Sequence, residues 1–247
     1  MKRSAPYIVG LLLVLLAGCQ TRSISDSGYD HNPSYRGELS ELAVLGVNSQ
    51  AEDIISDEDI QAALNRSNPI SLKQGDKIVL VQSGAVFPDE LMMEQAKQLF
   101  VVVPLSGVPD GNAQYARFNM AETQNKKATT LDRELRYAAA QAGARTLIVY
   151  WGFLESEREG NVSKSVSWVP IVGSIFPDEK QHMRIRLKAA VIDVATGGWE
   201  LLMPEVYADE QITSGLSRER KDQDQVALLK AQAYKRLIED IQTRYLR

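Results

Sequence analysis

The chain holds a single cysteine, Cys19, among 247 residues. One thiol excludes an intramolecular disulfide framework and a thiolate zinc site, so whatever folds here must be held by a hydrophobic core. Only two histidines accompany it, His31 and His182, too few for a His-rich metal cage. No metal or other cofactor is expected. The core is available, because 44% of the residues are hydrophobic, an ordinary share for a globular protein. With 28 basic against 32 acidic residues the net charge is -4, which offers no electrostatic footprint for nucleic acid.

The surroundings of the cysteine turn the exclusion into an assignment. Met1, Lys2 and Arg3 form a short positive start, and an apolar run follows from Tyr7 to Leu16. Ten residues of helix reach only about 15 Å, half the hydrocarbon thickness, so the run cannot span a membrane. Positive start, short apolar stretch and small residues are the pattern of a secretory signal peptide. The run closes on Leu16-Ala17-Gly18-Cys19, which resembles the lipobox of bacterial lipoproteins. The resemblance implies cleavage before Cys19, a thioether-linked diacylglycerol on its sulfur and a fatty acyl chain, palmitate for instance, on the new amino group. Each buried methylene adds about 0.8 kcal/mol, so several chains anchor firmly. Gln20 follows the cysteine. In enteric lipoproteins an Asp there resembles an inner-membrane retention signal, so its absence implies the periplasmic face of the outer membrane.

Three regions are therefore expected: a signal peptide over 1–18, a lipidated cysteine with a flexible tether over 19–36, and one periplasmic domain over 37–247. Residues 20–36 are mostly polar, with four Ser and two Asp, too polar to form a core. As a coil such a tether spans about 20–25 Å, and about 55–60 Å at full stretch. His31 lies in it and reads as a solvated loop residue.

Within the body, Leu39 and Leu42 suggest a loose helix over 38–45. Ser56-Asp57-Glu58-Asp59 is a capping-box start, followed by the short apolar face Ile60, Ala63 and Leu64. Residues 77–82 read as a buried strand. Pro88-Asp89-Glu90 opens a helix with Leu91, Met92, Gln95 and Leu99 on one side. Residues 100–103 form a second strand stopped at Pro104, and 107–127 form a long polar loop. Thr130 caps a helix over 131–142, and Gly143 follows its end. Residues 146–153 are apolar on both faces, as in a central strand. A charged turn over 155–161 and a strand over 162–168 come next. Met183, Ile185, Leu187, Ala189 and Val191 alternate with His182, Arg184, Arg186 and Lys188, which is a strand with one wet, basic face. A turn at 195–198 leads to a last strand over 199–207, with Pro204 as a bulge or edge residue. Val226, Leu229, Ala233, Leu237 and Ile241 mark the buried stripe of a C-terminal helix. Alternating helices and strands imply parallel crossovers in the first half, and successive strands imply antiparallel hairpins in the second. The fold expected is α/β (α+β), one mixed sheet covered by helices.

The chemistry is mostly absences. The chain carries no His-Glu-x-x-His, P-loop, Gly-x-Ser-x-Gly or Gly-x-Gly-x-x-Gly pattern. A lipidated Cys19 is no nucleophile. A serine triad would need His182 or His31 as its base, and His182, beside Arg184 at the start of a strand, is the one that could face a cleft. Acidic runs such as Glu155, Glu157 and Glu159 read as solvated faces. Binding has better candidates. The row Arg184, Arg186, Lys188 spans about 13 Å along a strand and suits an acidic protein patch, a lipid headgroup or the cell wall, unless neighbouring strands pair it with Glu157 or Glu200. The segment 168–177, with Trp168, Ile171, Ile175 and Phe176 among Pro and Gly, marks a partner or membrane contact if exposed, and a loop folded over the core if not. Tyr115, Phe118 and Met120 in the polar loop are a weaker candidate.

Ser167-Trp168-Val-Pro-Ile-Val-Gly173, then Pro177, then Ala190-Val-Ile-Asp193-Val-Ala-Thr196-Gly197 resembles a region of the rhombotarget lipoproteins. The Asp-x-x-Thr-Gly turn is also similar to that of lipoproteins with a TolB N-terminal-like fold, including curli-secretion and peptidoglycan-synthase-activator types. The resemblance covers the last third of the body and implies an accessory or assembly protein without a catalytic site. The short tether departs from the synthase activators. The expected function is thus an outer-membrane-anchored, non-catalytic accessory, scaffold or assembly factor for another envelope component. Its expected partners are the membrane, through Cys19, and an envelope protein or the cell wall. The alternatives are a hydrolase of cell wall or peptides built on His182, and a homo-oligomeric secretion-associated lipoprotein.

Overall fold

Lys77–Gln82 forms β2, and all its residues after Lys77 are buried, because the run is apolar on both faces and lies between two other strands. The computed structural model describes residues 20–26, 35–47, 56–65, 70–109, 129–160, 179–213 and 218–246. Of these, the side chains of 20, 156–160, 179–182, 207–213 and 218–222 are not described. The strands are β1 (Gln20–Ser23), β2, β3 (Val101–Leu105), β4 (Thr146–Gly160), β5 (Glu179–Asp193), β6 (Trp199–Leu202) and β7 (Tyr207–Thr213). The helices are α1 (Glu41–Val44), α2 (Asp57–Leu64), α3 (Glu90–Lys97), α4 (Leu131–Gln141) and α5 (Arg218–Tyr245).

The seven described strands join one mixed sheet, five of them in the order β3-β2-β4-β5-β6, with β1 beside β4 and β7 beside β5. β2 is parallel to β3 and to β4, whereas β4 and β5 run antiparallel from the pair Thr146–Asp193 to the pair Gly160–Glu179. These two long strands outreach β2, so β1 continues its edge against Phe153–Ser156 of β4. On the far edge β6 pairs with Ala189–Ile192 and β7 with Glu179–Ile185 of β5. The expected mixed sheet, parallel in its first half and antiparallel in its second, with a C-terminal helix, is the one observed.

Two cores flank the sheet. One holds Ile78, Leu80, Ile148, Tyr150, Ile185, Leu187 and Val191 with Met92 and Ala96 of α3 and Leu229, Tyr234, Leu237 and Ile241 of α5. The other holds Val79, Val81, Leu147, Val149, Trp151 and Ile192 with Leu39 and Val44 around α1 and Leu135 and Ala139 of α4. Period-two alternation sends successive strand residues to opposite cores, and each large aliphatic side chain removed from water contributes about 1.5–3 kcal/mol.

Several local expectations are corrected. The helix over 38–45 shrinks to α1, capped by the Ser40 side chain, with Leu39 buried and Leu42 pointing outward. Helix α3 buries Met92 and Ala96, while Leu91 is exposed. Strand β3 runs through Pro104, which is tolerated because β3 is an edge strand and needs no second partner. The charged segment 155–160 is the outer half of β4 rather than a turn, since Glu155 pairs with Arg184 in the ladder. The strand over 199–207 is two strands, β6 and β7, divided around Pro204. Residues 20–26 are not free tether: β1 is paired, and Ile24, in a short 3-10 turn, is only 2% exposed. Polarity misled here because the hydrogen bonds come from the body, not from the segment itself. All but the first three residues of the polar loop over 107–127, and the strand over 162–168, lie outside the described residues.

Candidate functional site

The chain leaves β2 through α3 to β3 on one side, then crosses through α4 to β4 on the other side of β2. The order therefore reverses between β2 and β4, and in open α/β sheets ligands bind in the crevice outside the carboxyl ends of the strands at such a point. Gln82 ends β2 and faces Tyr150 of β4 in the register. The crevice beside this pair is filled by the chain's own residues 23–26.

The filling is a closed polar cluster. Tyr150 donates its hydroxyl to Gln82 Oε1 at 2.5 Å, and the Asp89 backbone amide donates to the same oxygen at 2.7 Å. Gln82 Nε2 donates to Ser25 Oγ at 3.0 Å and to Asp89 Oδ1 at 3.3 Å. Ser25 Oγ in turn donates to the Ser83 carbonyl at 2.6 Å. From α5, Lys230 Nζ reaches both Asp89 Oδ2 and the Ile24 carbonyl at 2.8 Å, and the Tyr234 hydroxyl donates to Asp89 Oδ2 at 2.5 Å. Asp89 stands at the start of α3 but makes no side-chain cap, because its carboxylate is committed to α5 and Gln82.

The two phenols meet edge to face, with ring centroids 5.8 Å apart, a favoured aromatic geometry. Burial, then the Asp89 charge, pushes the Tyr150 hydroxyl well above the ordinary phenol range. Burial pushes Tyr234 well up too, followed by Tyr150 and Asp89. Both therefore stay protonated donors near neutral pH. The neighbouring segment is fastened at the same place: Leu39 N donates to Ser83 Oγ at 2.7 Å, and Trp151 Nε1 donates to the Leu39 carbonyl at 2.9 Å. Ser23 Oγ donates to Glu38. The turn itself requires Gly84, whose φ is 78° and where a Cβ would lie 2.8 Å from the Tyr35 ring. Chemically the cluster orients and holds; each oxygen and nitrogen named is spent on another member.

The predicted basic row is assembled on one face of β5, as the alternation required, but it is paired. Arg184 and Arg186 both bind the Glu155 carboxylate, Arg186 at 3.4 Å, and Lys188 binds Glu41 of α1 at 2.8 Å. Of the two carboxylates expected, Glu200 instead serves Arg244 at 3.0 Å and the Tyr245 hydroxyl at 3.1 Å, and the side chain of Glu157 is not described. Burial raises the Glu155 pKa, but the hydrogen bond and charge of Arg184, then those of Arg186, outweigh it and hold the carboxyl below its usual range. Among the described side chains, the three cations of the row face two carboxylates, Glu155 and Glu41. Cys19, His31, Trp168, Ile171, Ile175 and Phe176 lie outside the described residues. His182 falls in β5 opposite Glu157, with its side chain not described.

The residues that sequence reasoning missed are Ser25, Gln82, Asp89, Tyr150, Lys230 and Tyr234. Their signal was faint: a glutamine closing an apolar strand, a tyrosine inside one, and a Lys-Tyr pair four apart beside a helical stripe. Among the described residues no group of three or more His, Cys, Asp or Glu is placed to hold a metal, and no helix is long and apolar enough to cross a membrane.

A mixed-sheet α/β domain with helices on both faces, its switch-point crevice occupied by its own N-terminal segment, is the class this architecture defines. The chain belongs to the YafT bacterial lipoprotein family, whose model matches residues 40–244. Membership makes it a bacterial lipoprotein, a protein associated with a membrane of the cell envelope through a lipid anchor. No curated protein matches. Among solved structures it is similar to the hypothetical protein CT253 from Chlamydia trachomatis, at 9% identity, covering 69% of this chain and 97% of that one, with a TM-score of 0.30.

Proposed function

We propose that this lipoprotein is anchored by lipid on Cys19 at the periplasmic face of the outer membrane and acts as a non-catalytic accessory or scaffold for another envelope component. The observation that carries the reading is the filled crevice. The place where a sheet of this kind binds a small ligand holds Ile24 and Ser25 instead, a few residues after the lipobox cysteine. Held this way, the segment ties the body directly to its anchor. The reach at issue is then about one residue, roughly 3.8 Å, rather than a coil of 20 Å or more. A body held so close to its lipid suits a partner in the membrane plane. The contact surfaces proposed for it are the row Arg184, Arg186 and Lys188, and the apolar segment with Trp168, Ile171, Ile175 and Phe176.

Two experiments test this. Cys19→Ser is expected to release the protein from the membrane fraction and abolish acylation; a variant that stays acylated and membrane-bound defeats the anchor assignment. Photo-crosslinkers at 171, 175 and 186 are expected to capture one discrete envelope protein or cell-wall adduct in cells. Absence of any specific adduct at all three positions defeats the scaffold assignment.

A further inference from the structure

Where α4 leads into β4, before Thr146, a groove of about 620 Å³ opens between α4, the start of β4 and the end of β5. Arg133, Arg136, Tyr137 and Ala140 of α4 line one wall, and Arg145, Asp193 and Val194 line the other. That volume is in the range of small-molecule sites. Three arginines line it against one carboxylate, and Asp193 Oδ1 is turned to its own loop, accepting from Thr196 N and Thr196 Oγ1, both at 2.8 Å.

The arginines divide into a fixed one and two that are free. Arg136 donates to the Val194 carbonyl at 3.3 Å and lies 3.6 Å from Asp132. Its guanidinium packs on Gly197, where a Cβ would stand 3.1 Å from Cζ. Its Nε is buried with no acceptor, which fixes the side chain at the edge of the groove rather than offering that donor to a ligand. Arg133 and Arg145 are exposed and form no ion pair among the described residues. A planar guanidinium fork matches phosphate oxygens two at a time, and several forks on one groove favour a dianion over a monoanion. Tyr137, 68% exposed, presents a ring face at the rim, with Ala140 and Ala144 as an apolar floor. An exposed aromatic beside arginines gives a ring-bearing ligand a surface to lie on.

We infer that this groove binds a phosphorylated sugar, its phosphomonoester gripped by Arg133 and Arg145 with Arg136 at the edge, and its ring against Tyr137. Nothing in the scaffold reading requires this site; it shares no residue with the filled crevice and is an independent function. The shared chemistry has two sources, a soluble sugar phosphate and the phosphorylated sugar headgroup of a glycolipid.

The test uses the full-length protein purified from membranes in neutral detergent. Titration calorimetry with glucose 6-phosphate, inorganic phosphate and glucose is run on the native chain, Arg133→Ala/Arg145→Ala and Tyr137→Ala; flotation with phosphatidylcholine vesicles, with and without lipid A, is run on the same proteins. The arginine pair is expected to weaken glucose 6-phosphate or lipid A binding by at least about tenfold, since each lost charge-assisted contact is worth that much. Tyr137→Ala is expected to cost the sugar phosphate about three- to tenfold and inorganic phosphate nothing. Binding of glucose 6-phosphate alone identifies a soluble source, and binding of lipid A vesicles alone identifies a headgroup. Circular dichroism confirms that the exposed-site variants fold. No saturable binding on either arm, binding untouched by the arginine pair, or equal binding of glucose overturns the site.

Discussion

Gly152, in the middle of β4, leaves bare the spot onto which Ile24 descends: a Cβ at 152 would stand 2.4 Å from Ile24 Cδ1 and 2.8 Å from Leu187 Cδ2. Glycine inside a strand interior commonly marks such a close approach. Gly152→Ala should therefore push Ile24 out and cost about 1–3 kcal/mol by overpacking. Ile24→Ala should cost about 2–4 kcal/mol through the cavity it leaves. Urea unfolding reads both. Limited proteolysis should cut after residue 26 faster in each variant, and unchanged cleavage would show that the N-terminal segment does not depend on this contact.

Asp89 holds α3, α5 and the N-terminal segment together through Lys230, Tyr234 and Gln82. Asp89→Asn keeps the shape but removes the charge that Lys230 needs, and stability should fall by about 2–4 kcal/mol. Lys230→Met should cost less, because it leaves no buried cation. A double-mutant cycle between the two is expected to show coupling above about 1 kcal/mol; additive losses would mean that the pair does not act as a unit.

Tyr150 and Tyr234 both have hydroxyls pushed up in the folded state by burial first and neighbouring negative charge second. The native state thus holds these protons more tightly than the unfolded chain, whose phenols titrate near pH 10. The stabilisation they contribute is fully present below about pH 10 and is lost as pH rises toward their folded values. Denaturant midpoints should fall steeply above about pH 10. The Tyr150→Phe/Tyr234→Phe double variant should be less stable at neutral pH but show a flatter alkaline slope; an equally steep slope would assign the loss to other groups.

Glu155 serves two guanidiniums at the surface, where screened, half-exposed pairs are worth little. Glu155→Gln should change stability by less than about 1 kcal/mol while freeing Arg184 and Arg186. Its carboxyl, raised by burial but lowered further by Arg184 and then Arg186, contributes whatever it does above the unfolded carboxylate pKa and loses it as pH falls through the lower folded value. If the row is a contact surface, retention of Glu155→Gln on an anionic resin at low salt should exceed that of the native chain, and Arg184→Ala/Arg186→Ala should reverse it. Identical elution would place the row outside any contact.

By itself the sequence determined the secondary structure that rests on local pattern. The apolar runs of β2 and β4, the alternation of β5 and the stripe Leu229, Ala233, Leu237 and Ile241 each repeat within a few residues, and periodicity is a local property. The mixed sheet followed from the order of those elements. What joins residues far apart in the chain was decided only in three dimensions. Ser25 meets Gln82, Lys230 meets Asp89 and Lys188 meets Glu41 because the body supplies partners that no composition records. The polar stretch after Cys19 looked unable to order itself, and alone it has no core to bury. β4 outreaches β2 by enough residues to leave an unpaired edge beyond Gln82, and unpaired backbone groups there recruit β1, since a buried strand edge must find its hydrogen bonds somewhere.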